Sequence, residues 1–135
     1  MINNKEKRLS IETSLGILYG RDAIYLDLLL QEFSKIEFEG NFTTALCSKY
    51  NGSNNRIKYN IKFYGVIFFL GCELDNYQDE LKMVSSFDII LNSKIIEKFK
   101  SKNKKHFIFA TYDYVYEIIA EDYILTLGEY IIVSF

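Results

Sequence analysis

The sequence predicts a mainly β (α+β) fold: an antiparallel curved sheet or partly closed barrel of about seven strands with one short helix. Three observations predict it. The chain holds 11 Tyr and 11 Phe with no Trp, a 16% aromatic share, and such side chains suit a pleated, half-buried surface. Residues 56–63 alternate strictly, with Ile57, Tyr59, Ile61 and Phe63 on one side and Arg56, Lys58, Asn60 and Lys62 on the other. The C-terminal third is a series of short apolar runs separated by Asp113-Tyr114, Glu121-Asp122 and Gly128-Glu129, the spacing of a β-meander.

The elements follow in order. Residues 22–33 admit two readings: Leu26, Leu29, Leu30 and Phe33 fit helical spacing, whereas Ile24, Leu26, Leu28 and Leu30 fit strand alternation. The strand is preferred because the segments after it are β and hairpins recruit sequence neighbours. Residues 35–49 carry Ile36, Phe38, Phe42, Ala45 and Cys47. The turn signal at residues 50–55 (Tyr-Asn-Gly-Ser-Asn-Asn) joins them to the alternating strand. That strand turns apolar on both faces from Tyr64 to Leu70, as where a strand enters a sheet interior. An acidic connection, Glu73 to Glu80, precedes a short strand at Phe87–Leu91. Asn92-Ser93 then caps a predicted helix over residues 94–100, with Ile95, Ile96 and Phe99 on one face. Strands are expected at 106–112, 115–120 and 123–127, with a turn at Gly128-Glu129 leading into residues 130–135, an edge on which a homodimer can pair.

Length and composition fit a single domain spanning residues 1–135, large enough to bury a core without disulfides or metal. The abundance of Lys, Asn, Ile, Tyr and Phe and the lack of Pro match A/T-rich codons, as in low-GC bacteria. The polar start and the lack of an apolar run of ~20 residues argue against a secretory signal or membrane span. The expectation is a cytoplasmic protein, with Cys47 and Cys72 as buried thiols.

Catalytic signals are weak. His106 is the only histidine, and nothing in the spacing pairs it with Cys47, Cys72 or an orienting Asp113. It reads as the start of a strand. Cys47, Cys72 and His106 are one ligand short of a structural zinc site. Glu73, Asp75, Asp79 and Glu80 lack the order of a calcium loop. Phosphate-loop, dinucleotide and nucleophile-elbow motifs are absent. The expectation is no enzyme, no cofactor and no metal.

The surface says more. Residues 98–105 carry five Lys and no acid, whereas residues 111–135 carry Asp113, Glu117, Glu121, Asp122 and Glu129 and no base. With net charge −2, a nucleic-acid partner is not expected. Tyrosines interleave with the C-terminal acids, and tyrosine is enriched at interfaces. The candidate partner-binding residues are therefore Tyr112, Asp113, Tyr114, Tyr116, Glu117 and Glu121. The three tyrosines share one side if the strand runs unbroken, and the acids favour a basic protein partner.

The order of segments 63–69, 86–93, 106–113 and 115–120 resembles that of small bacterial proteins of the immunity-protein type, which neutralise toxins of polymorphic or contact-dependent systems. The likeness covers roughly residues 56–127 and carries no catalytic residue. It implies a non-enzymatic module that binds and neutralises a protein. The alternative is a β-barrel holding a small apolar ligand, with a small enzyme third.

Overall fold

A computed structural model describes residues 5–50, 55–78 and 83–131. Nine strands alternate with three single 3-10 turns: β1 (Lys7–Ser10), β2 (Ile24–Glu32), β3 (Lys35–Thr43), β4 (Arg56–Tyr64), β5 (Phe68–Glu73), β6 (Phe87–Leu91), β7 (Lys105–Ala110), β8 (Tyr114–Ala120) and β9 (Asp122–Ile131). They form two wholly antiparallel sheets, ordered β1-β6-β7-β8-β5 and β2-β3-β4-β9. The expectation of mainly antiparallel β-structure is met. The closed barrel, the seven strands and the helix are not: among the described residues there are nine strands in two sheets and no α-helix.

Both sheets contribute to one core. The alternating residues of β4 (Ile57, Tyr59, Ile61 and Phe63) are all buried, as their period requires. Phe38 and Phe63 of the second sheet meet Phe109 and Phe107 of the first, with ring centroids 5.0 and 5.2 Å apart. Phe87 sits edge-on to Phe109 at 5.4 Å. The centre is filled by rings, mostly in the tilted and edge-to-face geometries that aromatic quadrupoles favour.

Two crossings replace the expected continuous sheet. The apolar run from Tyr64 to Leu70 is not one strand, because Gly65 takes a left-handed φ of 63° and turns the chain from β4 into the other sheet. A Cβ at Gly65 would lie 2.8 Å from that of Glu121, so the corner admits only glycine without a shift. Glu121 marks the second crossing: β8 ends at Ala120, and β9 pairs with β4 rather than with β8. The meander therefore stops one strand early. Gly128-Glu129 makes no turn, since β9 runs through both to Ile131. Residues 132–135 of the expected last strand lie outside the described residues, as do 51–54 of the predicted turn.

Residues 22–33 settle as a strand and a hairpin tip, with a bulge between Leu26 and Leu28 of β2. Gly40 faces the bulge, where a Cβ would come within 1.9 Å of the Tyr25 carbonyl oxygen. The predicted helix over 94–100 shrinks to one 3-10 turn, Ile96–Lys98. Seven residues are too few to offset helix nucleation, and Asn92 at φ 58° turns the chain first. Its apolar residues still pack inward: Phe99 meets Phe68 at 6.1 Å. Cys47 is buried, and desolvation pushes its thiol up to about 11. Cys72, expected to be buried, is only half so, because β5 is an edge strand. Among the described residues no helix is long and apolar enough to cross a membrane.

Candidate functional site

The β7–β8 hairpin places the predicted tyrosines. Thr111 closes it: its amide and hydroxyl both donate to the Tyr114 carbonyl, at 2.8 and 2.9 Å, and its hydroxyl accepts the Tyr114 amide at 3.2 Å. The tip is pinned on two further sides. The Tyr112 amide donates to the Ile24 carbonyl of β2, and the Leu74 amide donates to the Asp113 carbonyl, each at 2.9 Å. Its backbone is therefore held by both sheets and by the 74–76 turn.

On this support stands a four-layer stack. Tyr112 lies on Tyr25 of β2, centroids 5.4 Å apart and planes 17° from parallel. Arg56 of β4 covers the far face of the pair, 4.5 Å from the Tyr25 centroid, and Arg21 lies 5.1 Å from that of Tyr112. Both distances suit cation–π attraction. Arg21 is fixed by its Nε donating to the Tyr112 carbonyl at 3.0 Å and by Asp75 at 2.9 Å. Tyr112 remains 39% and Tyr114 44% exposed. Asp113, Glu73 and Asp22 are exposed around them.

Three of the six predicted residues, Tyr112, Asp113 and Tyr114, gather here. The other three do not. The strand does not run unbroken from Tyr112, so only Tyr114 and Tyr116 share a face of β8, stacked at 6.1 Å. Tyr116 is buried, stacked on Phe69 at 5.7 Å, and desolvation raises its hydroxyl pKa. Glu121 lies at the other end of β8, beside Gly65. Glu117 points to the opposite face. Sequence reasoning missed Arg21, Tyr25 and Arg56, which are brought to the hairpin by pairing across tens of residues and leave no local signal.

Glu117 belongs instead to a buried polar network on the outer face of the first sheet. His106, expected merely to open a strand, bonds through Nε2 to Glu117 Oε1 and through Nδ1 to Ser93 Oγ, both at 2.7 Å. A carboxylate only accepts, so Nε2 carries a proton, and Nδ1 shares the other hydrogen bond with the Ser93 hydroxyl. Ser93 also accepts the Ile96 amide at 3.3 Å, and Tyr77 donates to Glu117 Oε2 at 3.2 Å. Nearby, buried Arg8 and Asp88 pair between β1 and β6. The connectivity of serine, histidine and carboxylate is that of a nucleophile, base and orienter. With Ser93 and His106 both buried, it acts as a clamp that ties the 93–96 turn and Tyr77 to the sheet. Among the described residues no group of three His, Cys, Asp or Glu side chains is placed to hold a metal ion.

The clamp makes stability pH-dependent. The hydrogen bond from His106 holds Glu117 below its ordinary 4.5, against the opposing effect of burial. A depressed carboxylate stabilises the fold fully above about pH 4.5, and that contribution is lost as pH falls through the folded value. Glu117→Gln is expected to be less stable than wild type near neutrality, with the gap narrowing below about pH 4.5. Urea midpoints across this range check it. A gap independent of pH would show that the Glu117 charge contributes nothing.

Comparison with protein-family models, with curated proteins and with solved structures finds no match for the chain, so the functional reading rests on the residues themselves.

Proposed function

We propose that this chain is a non-catalytic protein-binding module of the immunity-like kind, which neutralises a basic partner through the face around the β7–β8 hairpin. The observation that carries the reading is the stack of Arg56, Tyr25, Tyr112 and Arg21, half-buried at Arg56 and Tyr25 and exposed at Tyr112 and Arg21. Tyrosine and arginine dominate binding hot spots because each offers a large, rigid contact surface with a polar edge. Here the rings are held before any partner arrives, so little ordering entropy opposes binding. Asp75 is already committed to Arg21, which leaves Asp113, Glu73 and Asp22 to give the rim its negative sign. That sign favours a basic partner and speeds encounter at low salt.

Tyr112 and Asp113 are the residues to change. The test captures partners with tagged wild type and with the Tyr112→Ala, Asp113→Lys variant, from lysate of the source organism at low and moderate salt. Wild type is expected to retain a basic protein stoichiometrically and to release it with salt. The variant is expected to bind that protein about 30-fold more weakly, the loss of one hot spot of about 2 kcal/mol, while staying folded and melting only slightly lower for the lost Tyr25 contact. Equal retention by both would sink the assignment of this face. A thermal shift with fatty acids or flavins, instead of a protein partner, would favour the ligand-binding alternative.

A further inference from the structure

We propose that two copies of this chain join through the outer edge of β2, extending the four-stranded sheet across a twofold axis. This rests on observations independent of the hairpin face.

Among the described residues no strand pairs with the side of β2 away from β3. Such an edge presents unpaired amides and carbonyls, which proteins usually blunt with charge, proline or a bulge. The bulge of β2 ends at Leu28, and Leu28-Leu29-Leu30 beyond it carries neither charge nor proline. Leu28 and Leu30 are 44% and 48% exposed, and both project to the outer face, opposite Glu39 and Glu37 of β3. At the hairpin tip Phe33 is 98% exposed and held at φ 50°, a conformation that disfavours a bulky side chain. The two-residue turn between Glu32 and Lys35 requires that φ, but nothing in the turn requires so exposed a ring.

The occupant follows from complementarity. Glu37 and Glu39 each accept a hydrogen bond from Asn60, and Glu37 also pairs with Lys62. The acids behind the leucines are therefore satisfied within the sheet, and the edge offers apolar contact and backbone only. A second β2 supplies both. Paired antiparallel about Leu29, on the regular stretch beyond the bulge, each Leu28 faces the other copy's Leu30. No like charges stand opposite one another, and four leucines meet on one face. The Ile24 carbonyl and the Tyr25 ring stay committed to the hairpin, so pairing starts beyond them. The interface is isologous and closes at two copies.

Sedimentation equilibrium over a dilution series reads the mass directly. Wild type is expected at twice the 15.9 kDa chain mass at high concentration, dissociating on dilution. Leu30→Lys is expected to raise the dissociation constant at least about a hundredfold, because the axis sets two lysines near each other and replaces apolar contact. Its melting temperature should not move when monomers are compared, since Leu30 is on the surface. Hydrogen exchange supplies the second readout: the Leu29 and Gln31 amides should be protected in concentrated wild type and exposed in Leu30→Lys. A chain that stays monomeric at all concentrations overturns the proposal. So does a dimer that survives Leu30→Lys, or one that leaves those amides unprotected.

Discussion

Replacing Asp88 with Ala is expected to destabilise the fold by about 3–5 kcal/mol, the penalty for removing one member of a buried ion pair. The Asp88 side chain is fully buried and that of Arg8 nearly so. Arg8 Nε donates to Asp88 Oδ2, and the Val84 and Ser85 amides reach the same oxygen at 3.2 Å. The Ser85 hydroxyl bonds Oδ1. Removing the carboxylate thus leaves a guanidinium in a low-dielectric site and strips three other donors of their acceptor. Urea unfolding at constant m-value checks the figure. Adding Arg8→Met to Asp88→Ala should recover part of the loss, since it removes the stranded charge. A loss under about 1 kcal/mol for Asp88→Ala would mean that water reaches Arg8 and that the pair only decorates the joint between β1 and β6.

Phe38→Ala is the second large effect, expected at about 3–5 kcal/mol. Phe38 is fully buried on β3 and lies 5.8 Å from the Phe63 ring within its own sheet. Across the interface it meets Phe69, Phe109 and Tyr116 at 6.3, 5.0 and 5.1 Å. Truncation opens a cavity at the centre of the contact between sheets, walled by aromatic rings that cannot readily collapse into it. Phe38→Leu should lose less, because it retains most of the volume. Urea unfolding measures both variants. A loss below about 1.5 kcal/mol for Phe38→Ala would show that the sheets slide together to close the gap.

Much of the fold is legible where one face of a strand is wet and the other dry. Arg56–Phe63 announces itself because Lys58, Asn60 and Lys62 alternate with buried Tyr59, Ile61 and Phe63. β1 does not, because its buried residue is Arg8, a charge whose burial makes sense only once Asp88 is placed beside it. The division into two sheets is hidden for a related reason. The apolar run from Tyr64 reads as one strand, and only the backbone at Gly65 shows that it is two. At the candidate site, Tyr112, Asp113 and Tyr114 are legible from local composition. Strand parity carries a further signal: if Tyr114 and Tyr116 share a face, Glu117 must point the other way, towards His106. Arg21, Tyr25 and Arg56 contribute through contacts set by register alone.

The place of β1 at the edge of its sheet has a consequence for how the molecule is made. Among the described residues its partner strand is β6, and 80 residues separate Arg8 from Asp88. At a synthesis rate of about 5–20 residues per second, the first strand emerges roughly 4–16 s before the strand it must join. In that interval β2, β3 and β4 can already pair, each with its neighbour in the chain. The second sheet can therefore begin as a local three-stranded unit while the N-terminus stays unpaired. β9 then adds to β4 from the last-made part of the chain. Synthesis thus makes three strands of the second sheet available to pair first and leaves the β1–β6 and β4–β9 closures for later, when Asp88 reaches Arg8.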